Sequence, residues 1–180
     1  EQGVEALGYV CINRVLGGVL QAALADARNV TLECPARITA VQNHSEHTTV
    51  TLQHEDGREE ALSSTLLVVA DGARSQVRDM LGIGATHADY GQTAIIGNVL
   101  TELPNEGCAY ERFTESGPVA MLPITNGRTA FVWILDTDAA DDMLRLDDAA
   151  FTAALSDAFG TRLGEFSRVG ARNSYPLGLS

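Results

Sequence analysis

Apolar residues along this chain follow two periods, helical near the start and two-residue alternation further on. From Val15 to Ala27, apolar side chains fall at Val15, Leu16, Val19, Leu20, Ala23, Leu24 and Ala27. That spacing predicts an amphipathic helix with Asn13 as N-cap, weakened by Gly17 and Gly18. A short strand is expected before it, over residues 8–12. Strands are also expected over Val30–Cys34, Arg37–Gln42 and Thr48–Gln53, the last alternating cleanly. Asp56-Gly57 is a two-residue hairpin signal, with Glu59–Leu62 as the return strand. Residues 36–62 therefore read as a small antiparallel meander. Next comes a continuous apolar run, Leu66–Ala70, which suits a strand buried on both faces, as in a parallel sheet.

After Gly82 the pattern changes. Residues 84–91 read as a linking loop. Strands are expected over Thr93–Leu100, Ala109–Thr114, Val119–Ile124 and Thr129–Leu135, with Asn126-Gly127 the clearest hairpin turn. Pro123 fits only near a strand end or on an edge. The acidic stretch Asp136–Asp142 reads as a solvated face or a helix start. Asp147 or Asp148 caps a helix carrying Phe151, Leu155 and Phe159 on one side, closed by Gly160. Phe166–Tyr175 supplies a last strand. This half reads as α+β. Trp133, Phe131, Met121 and Tyr110 fall on neighbouring expected strands, as core or as the lining of an apolar pocket.

Composition narrows the function classes. The chain has 180 residues, 45% of them hydrophobic, enough for one large domain or two small ones. A formal charge of −12 argues against a nucleic-acid partner and against simple electrostatic docking on anionic lipid. Cys11, Cys34 and Cys108 are odd in number and scattered, which predicts a reducing cytoplasm rather than a disulfide framework. There is no leader pattern and no apolar run long enough to span a bilayer. The ends, EQGVEALGYVCI and SYPLGLS, predict a piece of a longer chain.

The densest candidate chemistry is Thr65–Gly82, TLLVVADGARSQVRDMLG. Ligands of open α/β sheets sit beyond the carboxyl ends of buried strands, and Asp71 stands there. Gly72 permits a tight turn and close backbone approach. The helix expected next offers N–H groups to an anion. Arg74 and Arg78, four apart, would share one of its faces. A carboxylate for hydroxyls and arginines for phosphates suggest a nucleotide-type cofactor; the plainer alternative is that Asp71 only caps the helix. His44, His47 and His54 fall among Glu46, Glu55 and Asp56, a grouping that reads as decoration of a solvated hairpin rather than a metal site. No G-x-S-x-G nucleophile turn occurs.

The segment LLVVADGARSQVR resembles the DG motif of the class A flavoprotein aromatic hydroxylases. GYVCINRVLGGVLQAAL is similar to the helix that precedes the meander in those enzymes. YERFTESGPVAMLPITNGRTAFVW and RNSYPLGLS are similar to the substrate domain of their ubiquinone-biosynthesis branch. The resemblance covers essentially the whole chain. It implies α/β plus α+β architecture: part of a Rossmann-like FAD domain with an antiparallel meander (1–84), joined to a truncated substrate-binding domain with an antiparallel sheet and helix (85–180). It implies an FAD-dependent monooxygenase that hydroxylates a polyprenyl phenol using NAD(P)H and O₂, cytoplasmic and able to sit against a membrane or in a biosynthetic complex. Asp71 and Gly72 carry over as cofactor-binding, with Ser75, Arg78 and Arg14 more weakly. No catalytic side chain and no metal ligand are implied. The G-x-G-x-x-G turn and later G-D motif of such enzymes are absent, so the chain reads as their central portion, inactive alone. Two alternatives stay open: a non-catalytic α+β module for an apolar ligand or protein partner, and another flavoprotein of the same fold.

Overall fold

The computed structural model describes residues 3–179. Glu1, Gln2 and Ser180, which the domain boundaries and the terminal segments above include, lie outside the described residues. In chain order the elements are α1 (Asn13–Asp26), β1 (Ala36–Asn43), β2 (Thr48–His54), β3 (Glu59–Ser64), α2 (Gln76–Met80), β4 (Ala88–Thr101), β5 (Tyr110–Thr114), β6 (Gly117–Pro123), β7 (Thr129–Asp136), α3 (Thr137–Arg145), α4 (Asp148–Phe159), β8 (Phe166–Ser167) and β9 (Asn173–Leu179). Two compact units form, one built on Gln21–His87 and the other on Ala88–Leu179 together with the segment up to Leu20.

The first unit is a three-stranded antiparallel meander, β1-β2-β3, with α2 against β1. Central β2 buries Val50 and Leu52 on one face, as its alternation predicts. The β2–β3 turn is set by Gly57 at φ 81, whose N–H donates to the His54 carbonyl at 3.0 Å. The β1–β2 register slips between Ile38 and Ala40. The extra residue, Thr39, donates its hydroxyl to the Thr51 carbonyl at 3.3 Å. Such a bulge bends its strand and re-aims neighbouring side chains.

The second unit is a larger antiparallel sheet in the order β5-β6-β7-β4. β8 pairs with β4 at Leu100 and Thr101, and β9 pairs with it from Ala88 to Ile96. β7 alternates strictly and buries Thr129, Phe131, Trp133 and Leu135. Opposite them lie Met121 and Val119 of β6, and Ile95 and Gly97 of β4. Gly97 makes room for Phe131: a Cβ there would lie 2.7 Å from the ring. Phe151, Leu155 and Phe159, at i, i+4 and i+8 of α4, close this core. Each fully buried side chain of this size contributes about 1.5–3 kcal/mol relative to exposure. Asp147 caps α4 by accepting from Ala150 N–H at 2.8 Å, and Gly160 ends it at φ 88. Arg112 donates to the Phe159 carbonyl at 2.7 Å, satisfying a last-turn acceptor of α4. Trp133, Phe131 and Met121 are thus core, with Tyr110 packed at its edge.

Several expectations are corrected. Residues 8–12 and Val30–Cys34 form no strand. Neither does Leu66–Ala70, which has no regular secondary structure and is largely exposed, Leu66 at 76% and Val68 at 74%. An apolar run becomes a buried strand only when neighbours supply ladder partners, and none of the described residues pairs with it. Every strand pairing observed is antiparallel. Helix α1 forms but buries no residue, and it already includes Asn13. The loop expected over 84–91 is partly strand, because β4 extends back to Ala88 to meet β9. The single last strand is two, β8 and β9, which pair with opposite ends of β4.

Candidate functional site

The site grows from the Asp71-Gly72 turn in the first unit. Gly72 takes φ +86, a conformation that favours glycine, and the space where a Cβ would stand is open. Ser75, almost fully buried, is the N-cap of α2 and accepts from Arg78 N–H at 3.0 Å. The Asp71 carboxylate accepts from Val77 N–H at 3.5 Å. Arg78 donates through Nη1 to the Ala73 carbonyl at 3.0 Å and places Nε 3.6 Å from Asp79. Asp71, Gly72, Ser75 and Arg78 are therefore brought together in one internally braced turn.

Two expectations about this turn change. α2 is one short turn of helix whose leading N–H groups already serve Ser75 and Asp71, so they are not free for an anion. Arg74 precedes the N-cap, so it does not share a helix face with Arg78. Arg78 braces the loop, while Arg74 faces a surface cavity of about 390 Å³ together with Arg37, Asp71 and Gln76. Arg37 is the residue that sequence reasoning missed. Nothing in its local pattern marks it; β1 and the bulge after it bring it to this cavity. Asp71 also lines a second, mainly apolar cavity of about 320 Å³, with Ile38, Leu67, Val69 and Val77. Arg14 is not part of the turn; it occupies the first turn of the exposed helix α1.

Hydrogen bonds hold the Asp71 carboxyl below the usual carboxylate range. The Ser75 hydroxyl acts most strongly; burial comes next and pushes the other way, and backbone N–H groups including that of Val77 add to the lowering. Because the folded value lies below the unfolded one, the stability Asp71 adds is complete above the ordinary carboxylate range. It is lost as pH falls through the depressed folded value. The gap in thermal midpoint between the unmodified chain and Asp71→Asn is therefore expected to be widest near neutrality and to close in acid. A gap that stays constant with pH would show that the Asp71 charge does not hold the turn.

The hairpin histidines engage other groups. His54 Nε2 lies 3.3 Å from Glu60, which also takes Arg58 Nη1 at 2.7 Å, and the rings of His44 and His47 stack at 4.4 Å. The Arg58 guanidinium and then His54 hold the Glu60 carboxyl below its usual range. Among the described residues no helix is long and apolar enough to cross a membrane.

Comparison with known proteins places this geometry. The family described as FAD binding domain matches residues 10–172. The chain is similar to the ubiquinone hydroxylase UbiL of Rhodospirillum rubrum, 39% identical over 173 residues that cover 96% of this chain and 39% of that protein. It is also similar to the 3-demethoxyubiquinol 3-hydroxylase of Escherichia coli, 30% identical over 95% of this chain and 42% of that protein. Among solved structures, p-nitrophenol 4-monooxygenase PnpA from Pseudomonas putida matches with a TM-score of 0.68 at 17% identity, over 92% of this chain and 42% of that one. The last likeness is one of fold. The chain spans about two-fifths of the length of these relatives.

Proposed function

From the premise that this chain belongs to the FAD binding domain family, alongside the flavoprotein hydroxylases of ubiquinone biosynthesis, we propose that it is the central part of an FAD-dependent monooxygenase. The whole enzyme hydroxylates the phenolic ring of a polyprenylated ubiquinone precursor, with NAD(P)H as reductant and O₂ as oxygen source. Residues 1–84 belong to its FAD domain, which has a Rossmann-like parallel sheet in the whole protein. Residues 85–180 belong to its substrate-binding domain. The enzyme works in the cytoplasm, peripheral to a membrane or in a biosynthetic complex, where a polyprenyl substrate is presented.

The observation that carries this reading is the Asp71-Gly72 turn. The residues present suit a flavin dinucleotide: a carboxylate held ionised beside a cavity, a glycine with open space where a Cβ would stand, and two arginines on the same cavity. FAD, when bound, supplies the redox chemistry of oxygen transfer. The chain's own part is to bind and orient. Asp71 accepts hydroxyl groups of the ribose or ribityl chain. Gly72 lets the dinucleotide approach the backbone. Ser75 and Arg78 hold the loop in the shape that permits both. The sheet of the second unit forms a rigid wall for the phenol, with its core of Phe131, Trp133 and Phe151 behind it.

The test uses two proteins. The full-length protein is expected to purify with FAD absorbance and to couple NAD(P)H oxidation to hydroxylation of a prenylated phenol. The 180-residue chain alone, given FAD, is expected to retain no flavin and oxidise no NAD(P)H. A full-length protein without flavin or hydroxylated product would overturn the assignment; tight FAD binding by the 180-residue chain would overturn the claim that it is inactive alone.

A further inference from the structure

We propose that the second unit carries a site for a phosphate-bearing ligand, built by Arg128 and Arg168 with Asn98 and Asn126, near the end of β4. Every residue of it lies in the sheet-and-helix unit, so it is independent of the Asp71 turn and of the cofactor assigned to that turn.

The site forms where three elements meet. Asn98 comes from β4, Asn126 and Arg128 from the β6–β7 hairpin, and Arg168 and Gly170 from the link between β8 and β9; together they line a cavity of about 460 Å³. Ligand cavities run about 300–1,000 Å³. The link is fastened to β4 on both sides of Arg168: β8 pairs with Leu100 and Thr101, and Gly170 N–H donates to the Asn98 carbonyl at 2.8 Å. The chain enters this sheet at the other end of β4, where Ala88 pairs with Leu179. The strand from there to Asn98 spans roughly 30 Å.

The charge pattern sets this cavity apart. The protein carries 24 acidic and 12 basic side chains, yet no carboxylate lines it, whereas Asp71, Glu102 and Asp148 line cavities elsewhere. Both guanidiniums are exposed, and neither forms an ion pair or hydrogen bond among the described residues. Acids border them from outside: Glu102 and Glu106 share a neighbouring cavity with Arg128, and Asp157 and Glu165 share one with Arg168. Neither arginine is drawn into a pair with them. The backbone adds a separate argument. Arg168 takes φ 47, in the left-handed region that disfavours a residue with a Cβ. That turn lets Phe166 and Val169 both be buried while Arg168 stays at the cavity. A glycine would make the same turn with less strain, so the fold does not require an arginine there.

The donors suit a phosphate. Each guanidinium offers a planar fork to an oxyanion, and each asparagine adds an amide N–H. Donors converging from three elements match an anion with three or four oxygens better than a carboxylate with two. At −12 the overall field of the protein opposes an anion, so binding rests on these short-range contacts and weakens with added salt. Two sources present such a group: the headgroup of a membrane lipid and a soluble phosphate ester.

The experiment uses the full-length protein saturated with FAD, so that any dinucleotide site is already filled. Arg128→Gln and Arg168→Gly are measured beside the unmodified protein. Both are expected to keep the thermal midpoint, Arg168→Gly because glycine favours φ 47, and both are expected to keep their flavin. Phosphorus NMR titration with glycerol 3-phosphate reads the soluble arm; co-sedimentation with vesicles of phosphatidylcholine and phosphatidylglycerol reads the membrane arm. Each variant is expected to weaken binding roughly tenfold in at least one arm, the scale of a lost charge-assisted hydrogen bond. A loss in the vesicle arm makes the ligand a lipid headgroup, and a loss in the soluble arm alone makes it a soluble phosphate ester. Arg128→Lys is expected to recover part of the binding, since it restores charge without the fork. Folded variants within about twofold of the unmodified protein in both arms, or no binding of either probe, would overturn the site. If the unmodified protein holds no FAD, the flavoprotein reading has failed, and the same two arms still decide the phosphate site.

Discussion

Phe151→Ala is expected to destabilise the sheet-and-helix unit by about 3–5 kcal/mol, the cost of truncating a fully buried aromatic residue. Phe151 is wholly buried, with ring centroids of Phe131 and Trp133 at 5.7 and 5.9 Å. The Arg172 guanidinium lies 4.8 Å from the ring centroid while bonding the Leu146 carbonyl and Asp148. Truncation therefore opens a cavity and also loosens the contact that ties the approach to β9 to the start of α4. Denaturant unfolding followed by Trp133 fluorescence measures it. The comparison is Phe113→Ala on edge strand β5, where the ring is 77% exposed. There the change is expected to stay within about 0.5 kcal/mol. Equal losses at the two positions would contradict the core described above.

Asp71→Ala in the full-length protein is expected to weaken FAD retention by roughly tenfold to a hundredfold, the range for removing a charged acceptor. The side chain supports the turn through Val77 N–H and offers its remaining acceptor capacity to the cavity. Ser75→Ala separates the two roles. It removes the N-cap of α2, costing about 1 kcal/mol of local stability, and the hydroxyl that bonds Asp71, while the carboxylate itself is kept. Flavin absorbance retained through gel filtration measures both variants. If Asp71→Ala keeps full flavin while Ser75→Ala loses it, the turn serves the cofactor by shape alone and Asp71 is only a cap.

Much of the fold was legible because its signals are local. The alternation in β2 and β7, the Asp56-Gly57 and Asn126-Gly127 turns, and the Phe151–Leu155–Phe159 stripe each depend on a few adjacent residues. All appear where the pattern places them, although the Asp56-Gly57 turn closes between His54 and Arg58 with three residues in the loop rather than two. The DG turn was legible for the same reason: a carboxylate, a glycine and a capping serine within five residues define one backbone shape. The failures have a common cause. Leu66–Ala70 and Val30–Cys34 have strand composition, but pairing is a property of neighbours, and composition does not supply them. Helix α1 has an apolar face, but nothing among the described residues buries it.

By itself, then, the sequence determined the family and those local elements whose signals lie in adjacent residues, and it singled out the Asp71-Gly72 turn, because these depend on residue type and short spacing. The tertiary structure alone decided that β8 and β9 share β4, that Arg78 braces the loop while Arg74 faces the cavity, and that Arg37, more than thirty positions earlier, reaches the same cavity. Those outcomes turn on strand register, on one bulge after Ile38 and on which helix N–H groups are already taken. Each is settled by residues far apart in the chain meeting in space.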